Sequence, residues 1–339
     1  MTGWDGKSAA GELIAVILCM TSIASAQERD AADMPTPEEP YRLSFHFEND
    51  GSFAKPNHNT DRHYTNGVKI TFSYRPEWAD DFADWLNLRP DENGDIKTAG
   101  GFAIGQNIYT PDRIENPALR SPNDRQFAGW LYLSTFWQHE ANNELDHVEI
   151  NFGVVGEASL AEKTQKFIHE AFDGDDPIGW DNQFGDSFGI NLMVQHKWKI
   201  DLPIFRDPIQ FDLIPQAGFT LGSLNRHVNF GATFRLGVNL PLDYGPARIE
   251  EPAAATNLQV KSKPGWYVFA RFGMKFVAYN RFLSGVEPEP ILGEAQFGVV
   301  FQWEKISFGY SQTYMSQEFE TQGGKDSFGA LVLSFSHRF

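Results

Sequence analysis

The chain is nearly without cysteine: Cys19 is the only one in 339 residues. It lies inside an N-terminal apolar segment, so the mature protein is expected to have no disulfide, no thiol and no cysteine metal site. Positive charge is also scarce. Lys and Arg number 28 against 45 Asp and Glu, a net charge of −17. This argues against nucleic acid, whose binders carry a basic face. An anionic partner can still be met if divalent cations bridge the two surfaces. No apolar run after the N-terminus reaches the length of a membrane helix. No His-Glu-x-x-His zinc spacing occurs, and no glycine loop built to cradle phosphate. No Gly-x-Ser-x-Gly elbow is expected around a candidate serine, so a hydrolase-type nucleophile has no motif support.

Aromatic residues, in contrast, make up 14%, with 29 Phe and 9 Trp. Mean hydropathy is nevertheless −0.39. That combination suits a barrel in the outer membrane, where only alternate residues face lipid. The N-terminus reads as an export signal. Leu13 to Met20 form its apolar core, and Ala24-Ser25-Ala26 is a small-x-small cleavage site. Residues 1–26 are therefore expected to be a signal peptide and 27–40 an acidic, Pro-rich flexible leader. Residues 41–339 are expected to form the barrel.

From Leu43 onward the apolar residues recur with period two, which puts alternate side chains on opposite faces. The clearest run is Val228, Phe230, Ala232, Phe234, Leu236, Val238 and Leu240. Asn229, Gly231, Thr233, Arg235, Gly237 and Asn239 lie opposite. A soluble sandwich would bury the first set; a membrane barrel would turn it to lipid. About twelve such segments can be counted, an even number as single-chain barrels require. The fold class is thus all-β: a transmembrane antiparallel barrel with a short helix in an extracellular loop.

If both termini are periplasmic, three connections meet at the outer rim: 50–64, 110–128 and 156–186. The third holds the helix, Ser159 to Phe172. Ser159 with Glu162 forms a capping-box pattern, and Leu160, Ala161, Ile168, Ala171 and Phe172 are its expected apolar stripe. Gln165 and His169 are four apart and share a face. Connections 76–100 and 241–265 are long where short periplasmic turns are expected, and suggest small helices or flaps.

Asn49, Asp50, Thr65, Asp173, Asp175 and Asp176 offer hard oxygen donors of the kind Ca²⁺ takes. The same residue types are also ordinary turn formers. A His beside an ester can act as general base toward water, and a cation at the carbonyl oxygen can stabilise the charge that develops.

Several blocks then carry a resemblance to a known family. They are Glu48-Asn49-Asp50, Thr60-Asp61-Arg62-His63-Tyr64-Thr65-Asn66-Gly67 and Gly105-Gln106-Asn107-Ile108-Tyr109-Thr110-Pro111. Asp124-Arg125, Phe127-Ala128-Gly129-Trp130, Gly153-Val154-Val155-Gly156, Gln165 with His169, and Gly179-Trp180 with Asn182-Gln183 follow in order. Together they resemble the outer-membrane lipid A 3′-O-deacylases, the LpxR family, over essentially the whole mature chain. The resemblance implies a twelve-stranded barrel that hydrolyses the ester of the 3′-linked acyloxyacyl group of lipid A, using Ca²⁺. It implies His169 as the base, helped by Gln165, with Asn49 and Asp50 in the catalytic set. Asn49, Asp50, Thr65 and Asp175 are the implied metal ligands. Asp175 stands where the family's pattern has Glu. For the lipid A phosphates only Arg113 and Arg120 lie in the corresponding loop.

The expected protein is a monomeric esterase of the bacterial outer membrane, with lipopolysaccharide and membrane lipids as partners. Two rivals stay open: a Ser–His phospholipase in the same membrane, and a pore or adhesin without activity.

Overall fold

The computed structural model describes residues 40–50, 61–88, 97–172, 176–251 and 263–338. The expected signal peptide, residues 27–39 of the leader, Asp173, Asp175 and Phe339 lie outside them. Strand β1 is Pro40–Asn49, β2 His63–Tyr74, β3 Lys97–Thr110 and β4 Ala128–Ala141. Then come β5 Glu144–Val155, β6 Ser187–Trp198, β7 Ile209–Gly222 and β8 Asn225–Val238. The last four are β9 Gly265–Asn280, β10 Ile291–Trp303, β11 Ile306–Met315 and β12 Asp326–Arg338. Each pairs antiparallel with its sequence neighbour. β12 returns to β1, and β6 joins β7, which continues the ring. A two-residue strand, Ile200–Asp201, adds to the edge of β7. The result is a closed twelve-stranded barrel, one of the two ways a chain can satisfy its backbone in lipid.

Alternation decides which face is which. On β8, Val228, Phe230 and Phe234 are exposed while Asn229, Thr233 and Arg235 are buried. On β6, Phe188 is 64% exposed and Asn191 only 2%. The apolar set points outward, the reverse of a soluble sandwich and the arrangement a lipid-facing wall needs. The interior is polar and made of matched charges. Lys69 Nζ lies 2.7 Å from Glu149 Oε1, and Arg235 binds Asp212. Such pairing is what permits charges to be buried.

The two long connections at the end opposite the helix do different things. Helix α1, Glu77–Trp85, lies against the outside of the wall. Its Ala79 and Ala83 pack on Trp137, whose indole nitrogen donates to the Ala79 carbonyl at 2.9 Å. The other connection enters the barrel. Between β8 and residue 251 it carries Arg235-bound Asp243, then Arg248, Ile249, Glu250 and Glu251 along the lumen. Arg248 meets Glu294 of β10 and, at 3.7 Å, Glu251; Arg271 of β9 meets Glu251 and, at 3.3 Å, Glu294. The Ile249 backbone N–H donates to Glu48 at 3.0 Å, and Tyr109 donates to Glu250 at 2.9 Å. This segment is an internal plug. It leaves a polar cavity of about 50 Å³ between itself and the outer rim.

Removing one partner from such a network leaves buried charge uncompensated. Arg248→Ala is expected to destabilise the barrel by about 3–5 kcal/mol. A fall in the thermal unfolding midpoint, followed by circular dichroism in detergent, checks this; an unchanged midpoint contradicts the plug's role.

Candidate functional site

The helix of the third outer connection is α2, Ala161–Phe172. It starts later than the capping-box pattern suggests. Leu160 adopts a φ of 60°, and the first helical bond runs from the Thr164 N–H to the Leu160 carbonyl. The Ser159 hydroxyl accepts from the Ala161 N–H at 3.4 Å, while Glu162 pairs with Lys166 at 2.7 Å instead of reaching back. The capping box is not made. The buried stripe is narrower than expected as well: Ala161 and Gln165 are buried, Ile168 and His169 half-buried, Leu160 and Ala171 exposed.

The helix is seated by an apolar cluster of Ala161, Ile108, Ile114, Phe127 and Trp180. Burying each of the larger side chains contributes about 1.5–3 kcal/mol. Gly129 makes the seat possible, since a Cβ there would lie 2.2 Å from the Ala161 Cβ. Backbone bonds tie the outer connections together: Ile178 N–H to the Ile114 carbonyl and Phe184 N–H to the Phe127 carbonyl, both 3.0 Å. The expected convergence of the three connections at one rim is what the structure shows.

At their meeting point His169 Nε2 lies 2.6 Å from Asp61 Oδ2. Gln165 donates to the same oxygen at 3.4 Å, and its carbonyl accepts from Trp180 Nε1 at 2.9 Å. Gln165 therefore acts on Asp61, the residue that holds His169. Asp50, just beyond β1, accepts from the Arg62 backbone N–H at 2.7 Å and is 6% exposed. Burial pushes its carboxyl well above the usual range; the Asp61 charge pushes it further, and the Arg62 bond opposes both. Its Oδ1 is buried and has no hydrogen-bond partner among the described residues. Two facing carboxylates, one with an unmatched buried oxygen, form a place where a hard cation would relieve the repulsion.

The other sequence candidates stand as follows. Thr65 occupies an irregularity in the β2–β3 register, and its hydroxyl lies 2.7 Å from that of Thr110. The Asn49 amide donates to the Thr65 carbonyl at 3.2 Å. Asp175 lies outside the described residues. Among those described, no group of three or more His, Cys, Asp and Glu could hold a metal. A cation here would need neutral oxygens such as Thr65 beside the two carboxylates. Arg120 braces the loops: its guanidinium donates to the carbonyls of Arg113, Ile114 and Ile178 and lies 5.0 Å from the Phe127 ring. Arg113 is exposed.

The letters Gly-x-Ser-x-Gly do occur, at Gly185-Asp186-Ser187-Phe188-Gly189. Ser187 opens strand β6, no helix follows it, and its hydroxyl accepts from Arg281 at 3.0 Å. This is not the strand-to-helix elbow of a serine hydrolase.

The sequence pattern includes Asp61 and Asp124 in the family blocks without a role for either, and does not single out Glu318 or Asp326. The last three brace the rim. His63 lies 2.7 Å from Asp326 and 3.6 Å from Asp124, and Arg125 lies 3.0 Å from Glu318. Burial alone would raise the Asp124 carboxyl, but hydrogen bonds from His63 and from the Asp112 and Arg125 backbones hold it below its ordinary value.

A strand ring that is apolar outside and polar within, with its loops gathered over a His–carboxylate cluster, is a bacterial outer-membrane barrel that carries a site at its rim. The family described as outer membrane protein LpxR matches residues 13–337. The chain belongs to that family, and it is an outer-membrane enzyme that modifies lipid A. The solved structure of LpxR from Salmonella typhimurium superposes with a TM-score of 0.71 at 18% identity, covering 87% of this chain and 99% of that one. The β domain of the Bordetella autotransporter BrkA follows with a TM-score of 0.42 at 9% identity, covering 89% of this chain and 100% of that one. A comparison with curated proteins gave no match.

Proposed function

We propose that the protein is a lipid A 3′-O-deacylase that hydrolyses the ester of the 3′-linked acyloxyacyl chain by attack of water. The observation that carries this is the 2.6 Å contact between His169 and Asp61, beside the unmatched Asp50 oxygen. A carboxylate at Nε2 keeps the imidazole hydrogen there, so the lone pair sits on Nδ1. Nδ1 takes the proton from the attacking water. Asp61 stabilises the imidazolium that results, which returns the proton to the departing alkoxide oxygen as the acyl C–O bond breaks, and Gln165, locked by Trp180, keeps Asp61 in place. Asp50 and Asp61 would hold Ca²⁺, with Thr65, Asn49 and Asp175 completing the set. The bound ion supplies positive charge for the oxyanion of the ester. The exposed aromatic wall below the rim lets the acyl chains stay in lipid while the ester reaches the site. Exposed Arg113 and the outer edge of Arg120 are placed to meet an anionic head group.

The test is mass spectrometry of lipid A after incubation with purified protein. Loss of one 3′ acyloxyacyl group is expected. A calcium chelator should abolish the loss, and added Ca²⁺ should restore it. Full activity in chelator would remove calcium from the mechanism; no mass change under any condition would remove the reaction.

A further inference from the structure

The outer wall carries a second feature that the catalytic reading does not use. Helix α1 lies against the wall at the end of the barrel opposite the site, since it joins β2 to the start of β3. Between helix and wall runs an open groove of about 460 Å³, lined by Trp78, Phe82, Trp85, Val148 and Ile150. That volume is within the ~300–1,000 Å³ range of small-ligand sites. Val148 and Ile150 belong to the outward face of β5, and Ile150 is exposed. The groove thus continues the lipid-facing belt. Trp85 is 76% exposed and stacks on Phe82 at 5.7 Å, so a large ring stands at the groove with its face uncovered. Indoles favour the membrane–water interface.

Charge narrows the occupant. The helix carries Glu77, Asp80, Asp81 and Asp84. Asp80 is engaged by Arg75 at 3.6 Å and by the Thr98 hydroxyl at 2.5 Å. Asp81 lines the groove, and Asp81 and Asp84 are exposed. A head group bearing a primary ammonium matches this edge; a purely anionic one is repelled.

We propose that the α1 groove docks one acyl chain of a glycerophospholipid of the inner leaflet, and that Asp81 and Asp84 favour an ethanolamine head group over a glycerol one. This rests on the barrel's place in the membrane and not on the ester chemistry at the other rim.

The test uses the full chain reconstituted in bilayers of a phosphatidylcholine background. These contain phosphatidylethanolamine or phosphatidylglycerol brominated on the acyl chains. Bromine quenches indole fluorescence on contact. The Trp85 signal is taken as the difference between the wild type and Trp85→Phe. The expected result is quenching of that signal with about two- to fivefold preference for the ethanolamine lipid, the scale of an exposed ion pair. Asp81→Lys with Asp84→Lys should abolish or reverse the preference while quenching persists. The tryptophans that remain when Trp78 is also replaced by Phe serve as a control for folding and should show no preference, since Trp78 shares the groove with Trp85. Equal quenching by the two lipids, a preference that survives the double replacement, or absence of quenching would each overturn the proposal.

Discussion

Replacing His169 with Ala should reduce ester cleavage by about 10²–10⁴-fold, the usual contribution of a positioned general base. The barrel should remain folded. His169 is half-buried on a loop helix that is seated by Ala161, Ile108, Ile114, Phe127 and Trp180, and none of these depends on the imidazole. Removing the ring leaves the Asp50–Asp61 pair intact, so calcium binding should survive while turnover does not. The assay is the rate of 3′ deacylation by mass spectrometry, with calcium binding measured beside it by calorimetry. Wild-type turnover in His169→Ala would end the mechanism. Loss of turnover together with loss of the folded barrel would show that the residue serves the fold instead.

Asp61→Asn carries the second large effect. Asn fits the same space, but its amide can donate where the carboxylate can only accept. It can therefore hold the imidazole with its lone pair on the wrong nitrogen, and it cannot balance an imidazolium. Where a carboxylate orients a catalytic His in other enzymes, this change costs up to ~10⁴ in turnover, and a loss of about 10²–10⁴ is expected here. Two readouts separate positioning from mere structure. The double variant with His169→Ala should be hardly slower than His169→Ala alone, because residues acting as a unit are not additive. The calcium concentration giving half-maximal activity should rise, since one of the two facing carboxylates has gone. Additive losses with an unchanged calcium requirement would assign Asp61 to neither role.

The barrel was legible because period-two alternation is a local property that survives without any knowledge of partners. Phe230 beside Asn229 already states that one face is apolar and the other polar. The outer connections and the pair Gln165 and His169 were legible for a similar reason, since residues four apart on a helix share a face. The capping box at Ser159 misled because the motif presumes that Leu160 is helical, whereas the seat against Gly129 puts that residue at a positive φ. Arg120 is a candidate grip for phosphate by its place in the loop. Its guanidinium also holds two loops together through their carbonyls, and no sequence pattern records such bonds.

By itself the sequence determined which residues share a face, that there are about twelve strands, and, with both termini on one side, which loops share a rim. Each of these follows from repetition along the chain. Only the tertiary structure decided that Asp61 is the residue between His169 and Asp50, that one long connection lies on the outer wall, and that the other fills the lumen. These depend on contacts between segments far apart in the chain. Their partners are chosen by shape and by the need to match every buried charge, and neither quantity is written in the spacing of residues.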